Sequence, residues 1–94
     1  MNNQMIQKLK RMQQELKAGQ EKIEASEFEG SATGVNVVVL GNRTILGINI
    51  DDELLSDKDI LQDSILVAIN AALAKIDAAL AELYKKFNVP GMNF

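Results

Sequence analysis

The 94-residue chain has no cysteine, no histidine and no tryptophan, with a single proline and a single tyrosine. Each absence closes a class of chemistry. Without cysteine there is no disulfide framework, zinc–thiolate site or thiol nucleophile. Without histidine the usual general base and the commonest metal ligand are gone. Carboxylates, lysines, hydroxyls and one phenol remain, a poor kit for an enzyme, and no catalytic residue, metal ligand, cofactor or small-molecule substrate is expected. No uninterrupted apolar run approaches the ~20 residues of a membrane span. The first residues also lack the apolar core and cleavage site of a signal peptide. The expectation is a cytoplasmic protein without membrane contact.

At this length the chain makes one domain, residues 1–94, with a modest core that oligomerisation would help. Its net charge of −3 argues at first against polyanions. The distribution argues otherwise. Residues 1–24 carry five basic side chains against three acidic, net +2. Residues 25–63 carry two against eight, net −6, and residues 64–94 three against two, net +1. Any contact with a polyanion should therefore use the ends of the chain.

The spacing predicts a first helix over about 3–24, where Met5, Leu9, Met12, Leu16, Gly19 and Ile23 step alternately by four and three. It predicts a second, longer helix over about 57–87. There Leu66, Ile69, Leu73, Ile76, Leu80, Leu83 and Phe87 form a cleaner heptad seam amid many alanines. Ser56 is the expected N-cap, Lys85 and Lys86 suit the negative end of the helix dipole, and Asn88 and Pro90 stop the helix. Such a helix is about 46 Å long, far more than a compact domain of this size needs. One end should project or meet another subunit.

Between the helices, about residues 26–50, lies a small antiparallel sheet. Val35–Leu40 and Thr44–Ile50 are β-branched runs, with Gly41-Asn42 as a two-residue hairpin turn. That turn pairs Val35 with Ile48, Val37 with Leu46 and Val39 with Thr44 on one apolar face. The opposite face holds Val38, Leu40 and Ile45 among polar residues, too apolar to be fully solvated, and suggests burial against a partner. Phe28, in an alternating stretch, could begin a third, edge strand. The fold class is α+β, in the order α-β-β-β-α.

Three candidate chemistries reduce to plain structure. Asp51-Asp52-Glu53 lacks the spaced oxygens of a calcium loop and reads as a turn leading into a short helical start. Gly30–Gly34 is a small-residue connection that precedes a strand, where a phosphate loop precedes a helix. Tyr84, beside Leu83 and Phe87, reads as a packing residue with a wet hydroxyl. The basic strips of the first helix are the exception. Lys10 and Lys17 share one with Gln14, and Lys8, Arg11 and Lys22 share its neighbour with Glu15. Long basic side chains in such strips reach phosphates. The competing reading is a solvated face laced by Arg11–Glu15 and Lys17–Glu21 pairs.

In order, the chain has a Met/Gln/Lys-rich first helix (Met5–Gln20), a Gly-rich loop and the strand Val35-Asn-Val-Val-Val-Leu-Gly-Asn42. The run Ile48-Asn-Ile-Asp-Asp-Glu-Leu-Leu55, an Ala-rich long helix and a Pro90-Gly91…Phe94 tail follow. This succession resembles the YbaB/EbfC family of small bacterial nucleoid-associated proteins over nearly the whole chain. The resemblance departs at Asn36, where family members often carry a basic residue, and in the last helix, which is richer in alanine. It implies a homodimer whose sheets and long helices associate, with helical arms projecting like tweezers to grip double-stranded DNA. The expected DNA contacts are Lys8, Lys10, Arg11 and Lys17, helped by Lys22, Lys85 and Lys86. The expected dimer contacts are Val38, Leu40, Ile45, Leu73, Ile76 and Leu80. With few aromatics and no recognition cluster, backbone contacts should dominate and base readout be weak. The expected setting is the cytoplasmic nucleoid. The alternative is a structural or protein-interaction module with little affinity for DNA.

Overall fold

The structure is a computed structural model and describes residues 3–87. The tail 88–94, expected to be loose, lies outside the described residues. Helix α1 spans Asn3–Ala25 and is followed by strands β1 (Glu27–Ala32), β2 (Val35–Leu40) and β3 (Ile45–Ile50). A 3₁₀ turn over Asp52–Ser56 leads into helix α2, Lys58–Lys86. The order α-β-β-β-α is the expected one.

Sheet order is β1-β2-β3, antiparallel throughout. Gly30, Ser31 and Ala32 belong to β1, so the expected loop shrinks to Thr33-Gly34, with Gly34 at φ 73°. The β2–β3 turn also differs from expectation. It has three residues, Gly41-Asn42-Arg43, closed by Arg43 N–H donating to Leu40 O (2.7 Å) and Leu40 N–H donating to Thr44 O (2.8 Å). Its third residue, Arg43, sits at φ 73°, the left-handed position that completes such a three-residue turn and usually falls to glycine. The longer turn and a bulge between Val38 and Val39 shift the register. Val35 pairs with Ile50, Val37 with Ile48 and Val39 with Ile45. Paired residues share a face, so Ile45 joins the valine face and leaves the opposite one.

Helix α2 lies on β1 and β2 of that face. Val35, Val37 and Val39 are buried against Ala68, Ala72 and Ile76, flanked by Phe28, Leu61, Ile65 and Leu73. The packed stripe of α2 therefore runs Ser64-Ala68-Ala72-Ile76, in steps of four through small residues. Of the heptad seam, Ile76 belongs to this stripe and Ile69, Leu73 and Leu80 pack beside the core, whereas Leu66, its first member, is 60% exposed. Close approach decides this. A Cβ on Gly30 would overlap the Ala68 carbonyl oxygen and lie 2.5 Å from the Ala72 nitrogen. The bare strand residue and the alanines are the surfaces that let helix and sheet meet. Asp57, not Ser56, is the N-cap of α2, its carboxylate accepting from Ile60 N–H at 3.2 Å. Ser56 is spent in the 3₁₀ turn.

By length and composition alone α2 could cross a membrane, with mean hydropathy 1.7 in its most apolar window, contrary to the sequence reading. Alanine and leucine hold that mean up around Asn70, Lys75 and Asp77. Here the same stretch supplies the sheet-facing stripe, and Asp77 pairs with Arg43.

Candidate nucleic-acid interface

Helix α1 buries no residue completely. Its C-terminal half is nevertheless rooted. Gly19 faces Leu83, where an added Cβ would come within 2.6 Å of Leu83 Cδ1. Gln20 donates from Nε2 to the Tyr84 hydroxyl at 2.7 Å, so that hydroxyl is engaged by the protein and not simply wet. Glu24 shares a cleft with Leu80, so α1 and α2 run antiparallel, Gln20 level with Tyr84 and Glu24 with Leu80. Extrapolated at 1.5 Å per residue, α2 runs out near Ala18, and the remaining ~15 residues of α1 extend ~22 Å beyond it. The molecule is accordingly elongated, 68 × 21 × 13 Å, with a radius of gyration of 18.4 Å.

The projecting half carries the charge. Lys8, Lys10, Arg11 and Lys17 are all exposed there, against the single acidic Glu15. Among the described residues the ion pair formed is Arg43–Asp77, so neither Arg11–Glu15 nor Lys17–Glu21 is closed. Lys22 is exposed on the rooted half, away from the projection. Lys85 and Lys86 end α2 beside the start of the arm, with Lys86 Nζ 5.9 Å from the Phe87 ring centroid. At the other end of the molecule, Asp51, Asp52, Glu53, Asp57, Asp59 and Asp63 stand against Lys58 alone. The long axis thus runs from an acidic base to a basic arm, and only the arm suits phosphates.

The expected dimer residues divide. Leu73 and Leu80 are half-buried and Ile45 is exposed. Val38 and Leu40 are half-buried on the face away from α2. Ile76 is 0% exposed within the protomer, committed to its own core, and offers no surface to a partner. A bare apolar surface on β3 was, beyond Ile45, not foreseen. Ile45, Leu46, Ile48 and Ile50 of β3 are 47, 51, 42 and 37% exposed, because α2 stops short of that strand. Leu66 and Val67 are bare on α2. The sequence offered a signal in the four large aliphatic residues of β3, but assigning them to a face needed the bulge.

The model of the YbaB/EbfC DNA-binding family matches residues 1–92. Relatives named nucleoid-associated protein include one from Clostridium novyi, 38% identical over 96% of this chain and 86% of its own length. Others come from Mycoplasmopsis pulmonis, 37% identical over 89% and 86%, and Ligilactobacillus salivarius, 36% over 94% and 90%. In fold, the chain is similar to the crystal structure of an uncharacterized Helicobacter pylori protein, with a TM-score of 0.75, 24% identity, and coverage of 94% of this chain and 98% of that one. A basic helical arm on an α-β-β-β-α body and a family match along nearly the whole sequence agree: this chain belongs to the YbaB/EbfC DNA-binding family.

Proposed function

We propose that the protein is a non-enzymatic, nucleoid-associated DNA-binding protein of the bacterial cytoplasm. It acts as a homodimer and grips double-stranded DNA through its α1 arms. One observation carries the reading: the four exposed basic side chains Lys8, Lys10, Arg11 and Lys17, none in an ion pair among the described residues, stand on a helix that projects clear of the body. Lys8, Lys10, Arg11 and Lys17 lie on adjacent strips of that helix, with Lys85 and Lys86 near its base. They meet the phosphate backbone, and binding is only weakly selective for sequence. The second copy covers the bare apolar surface of β3 and the outward side of α2, with Ile45, Leu73 and Leu80 from the expected set. Dimerisation doubles the arms, so that roughly six to ten phosphates come within reach, and affinity then falls about 10³–10⁵-fold between 50 and 200 mM salt.

The test is fluorescence anisotropy with a duplex, titrated across that salt range. Replacing Lys8, Lys10 and Arg11 together by Ala is expected to flatten the plot of log affinity against log salt by about 0.9 for each phosphate that the arm no longer neutralises. An unchanged slope sinks the mechanism. Absence of binding by the unaltered dimer at 50 mM salt favours the assembly module instead, for which the bare β3 strand and the acidic base already speak.

A further inference from the structure

We infer that the β2–β3 turn is the joint that aims the arm, with Gly41 its positioning residue; this rests on the reading of α1 as the DNA-contacting element. The turn is tied to both helices. On one side, Gly41 N–H donates to Ser26 O (2.9 Å) and Asn42 N–H to Glu24 O (3.2 Å), at the root of α1. On the other, Arg43 Nη2 meets Asp77 Oδ1 of α2 at 2.7 Å. Gly41 is pressed against α1 so closely that a Cβ would overlap the Ile23 carbonyl oxygen and stand 3.0 Å from Glu24 Cα. Those are backbone atoms, so no rotamer change relieves the overlap and the root of the helix has to move.

Geometry amplifies that movement. With the Gln20–Tyr84 contact as fulcrum, Ile23 lies three residues to one side and Met5 fifteen to the other. At 1.5 Å per residue, ~1 Å at Ile23 becomes ~5 Å at Met5. There is room to swing. A cleft of about 420 Å³, lined by Gln20, Glu24, Asn42, Arg43, Leu80 and Tyr84, opens beside the joint. Gly41 thus decides where four charges stand without carrying any.

The experiment exploits the absence of cysteine. Spin labels on Gln7→Cys and Glu29→Cys report the arm-to-sheet distance by pulsed electron resonance, with labelled protein diluted in unlabelled protein. Gly41→Ala is expected to move the mean distance by several ångströms, to weaken duplex binding and to flatten its salt slope, with every positive charge retained. An unchanged distance overturns the joint, whatever DNA binding does. A shifted distance with unchanged affinity and slope overturns instead the assignment of DNA contact to the arm. Should Gly41→Ala fail to fold, Tyr84→Phe decides alone, since it inserts no atom. Losing the fulcrum bond is expected to broaden the distance distribution, and an unaltered width rejects the proposal.

Discussion

The two edges of the sheet reverse what composition suggests. β1, Glu-Phe-Glu-Gly-Ser-Ala, is the polar strand, yet α2 covers it. β3, Ile-Leu-Gly-Ile-Asn-Ile, is the apolar strand, yet it stands bare. Burial inside the protomer follows from fit. Gly30 and Ala32 leave room for a helix to press down, whereas the isoleucines of β3 would hold it off. An uncovered apolar edge strand is a liability in a soluble monomer, and a lasting one implies an occupant. The small-residue edge thus builds the protomer, and the large-residue edge is the one the proposed dimer covers.

The hardest way to break this comparison is to fill the covered edge. Gly30→Val would drive a branched side chain into the Ala68 carbonyl and the Ala72 nitrogen. The expected loss is about 3 kcal/mol or more, at the upper end of what overpacking costs, and urea unfolding measures it. A change below about 1 kcal/mol would mean that α2 lifts off β1 cheaply and that small residues do not select the covered edge.

The bare edge should respond in the opposite manner. Ile48→Lys places a charge on a side chain already 42% exposed, so the protomer should keep its far-UV circular dichroism. In a dimer seated on β3 the same charge is desolvated without a partner, at a cost of about 3 kcal/mol, or roughly a hundredfold weaker association. Light scattering at micromolar concentration should then report one chain where the proposed dimer gives two. A dimer that survives this substitution sits elsewhere.

This contrast also shows what was legible before the structure. The elements were, because β-branched runs and helical spacing are local signals. The stripe of α2 that meets the sheet was not. Leu66 and its heptad partners are the larger residues and dominate any pattern, while Ala68 and Ala72, chosen for closeness, look like filler. Nor was the register, since Gly41-Asn42 is a good two-residue turn and nothing in an arginine announces a left-handed conformation. The arm's charges were readable as basic strips. Their freedom was not, because it depends on where α2 ends relative to α1. The joint left no trace in side-chain chemistry: its contacts are backbone hydrogen bonds and the absence of a Cβ at Gly41.

The smallest expected effect lies at the turn that sets the register of the bare edge. Arg43→Gly removes a side chain from φ 73°, where a non-glycine residue is disfavoured by about 1–2 kcal/mol. Glycine returns about 0.4–1 kcal/mol of that through the added freedom of the unfolded chain. The lost bridge to Asp77 joins side chains 46 and 51% exposed, and such pairs contribute about 0–1 kcal/mol. These contributions nearly cancel, and the expected change in stability is within about 1 kcal/mol. Asp77→Ala removes the bridge and leaves the conformation, so the difference between the two variants isolates the cost of the left-handed arginine. If Arg43→Gly is the more stable of the two, the arginine is kept against local preference for its hold on α2. Amide exchange should then quicken in β3 and at the root of α1 while β1, fastened by the small residues beneath α2, stays protected.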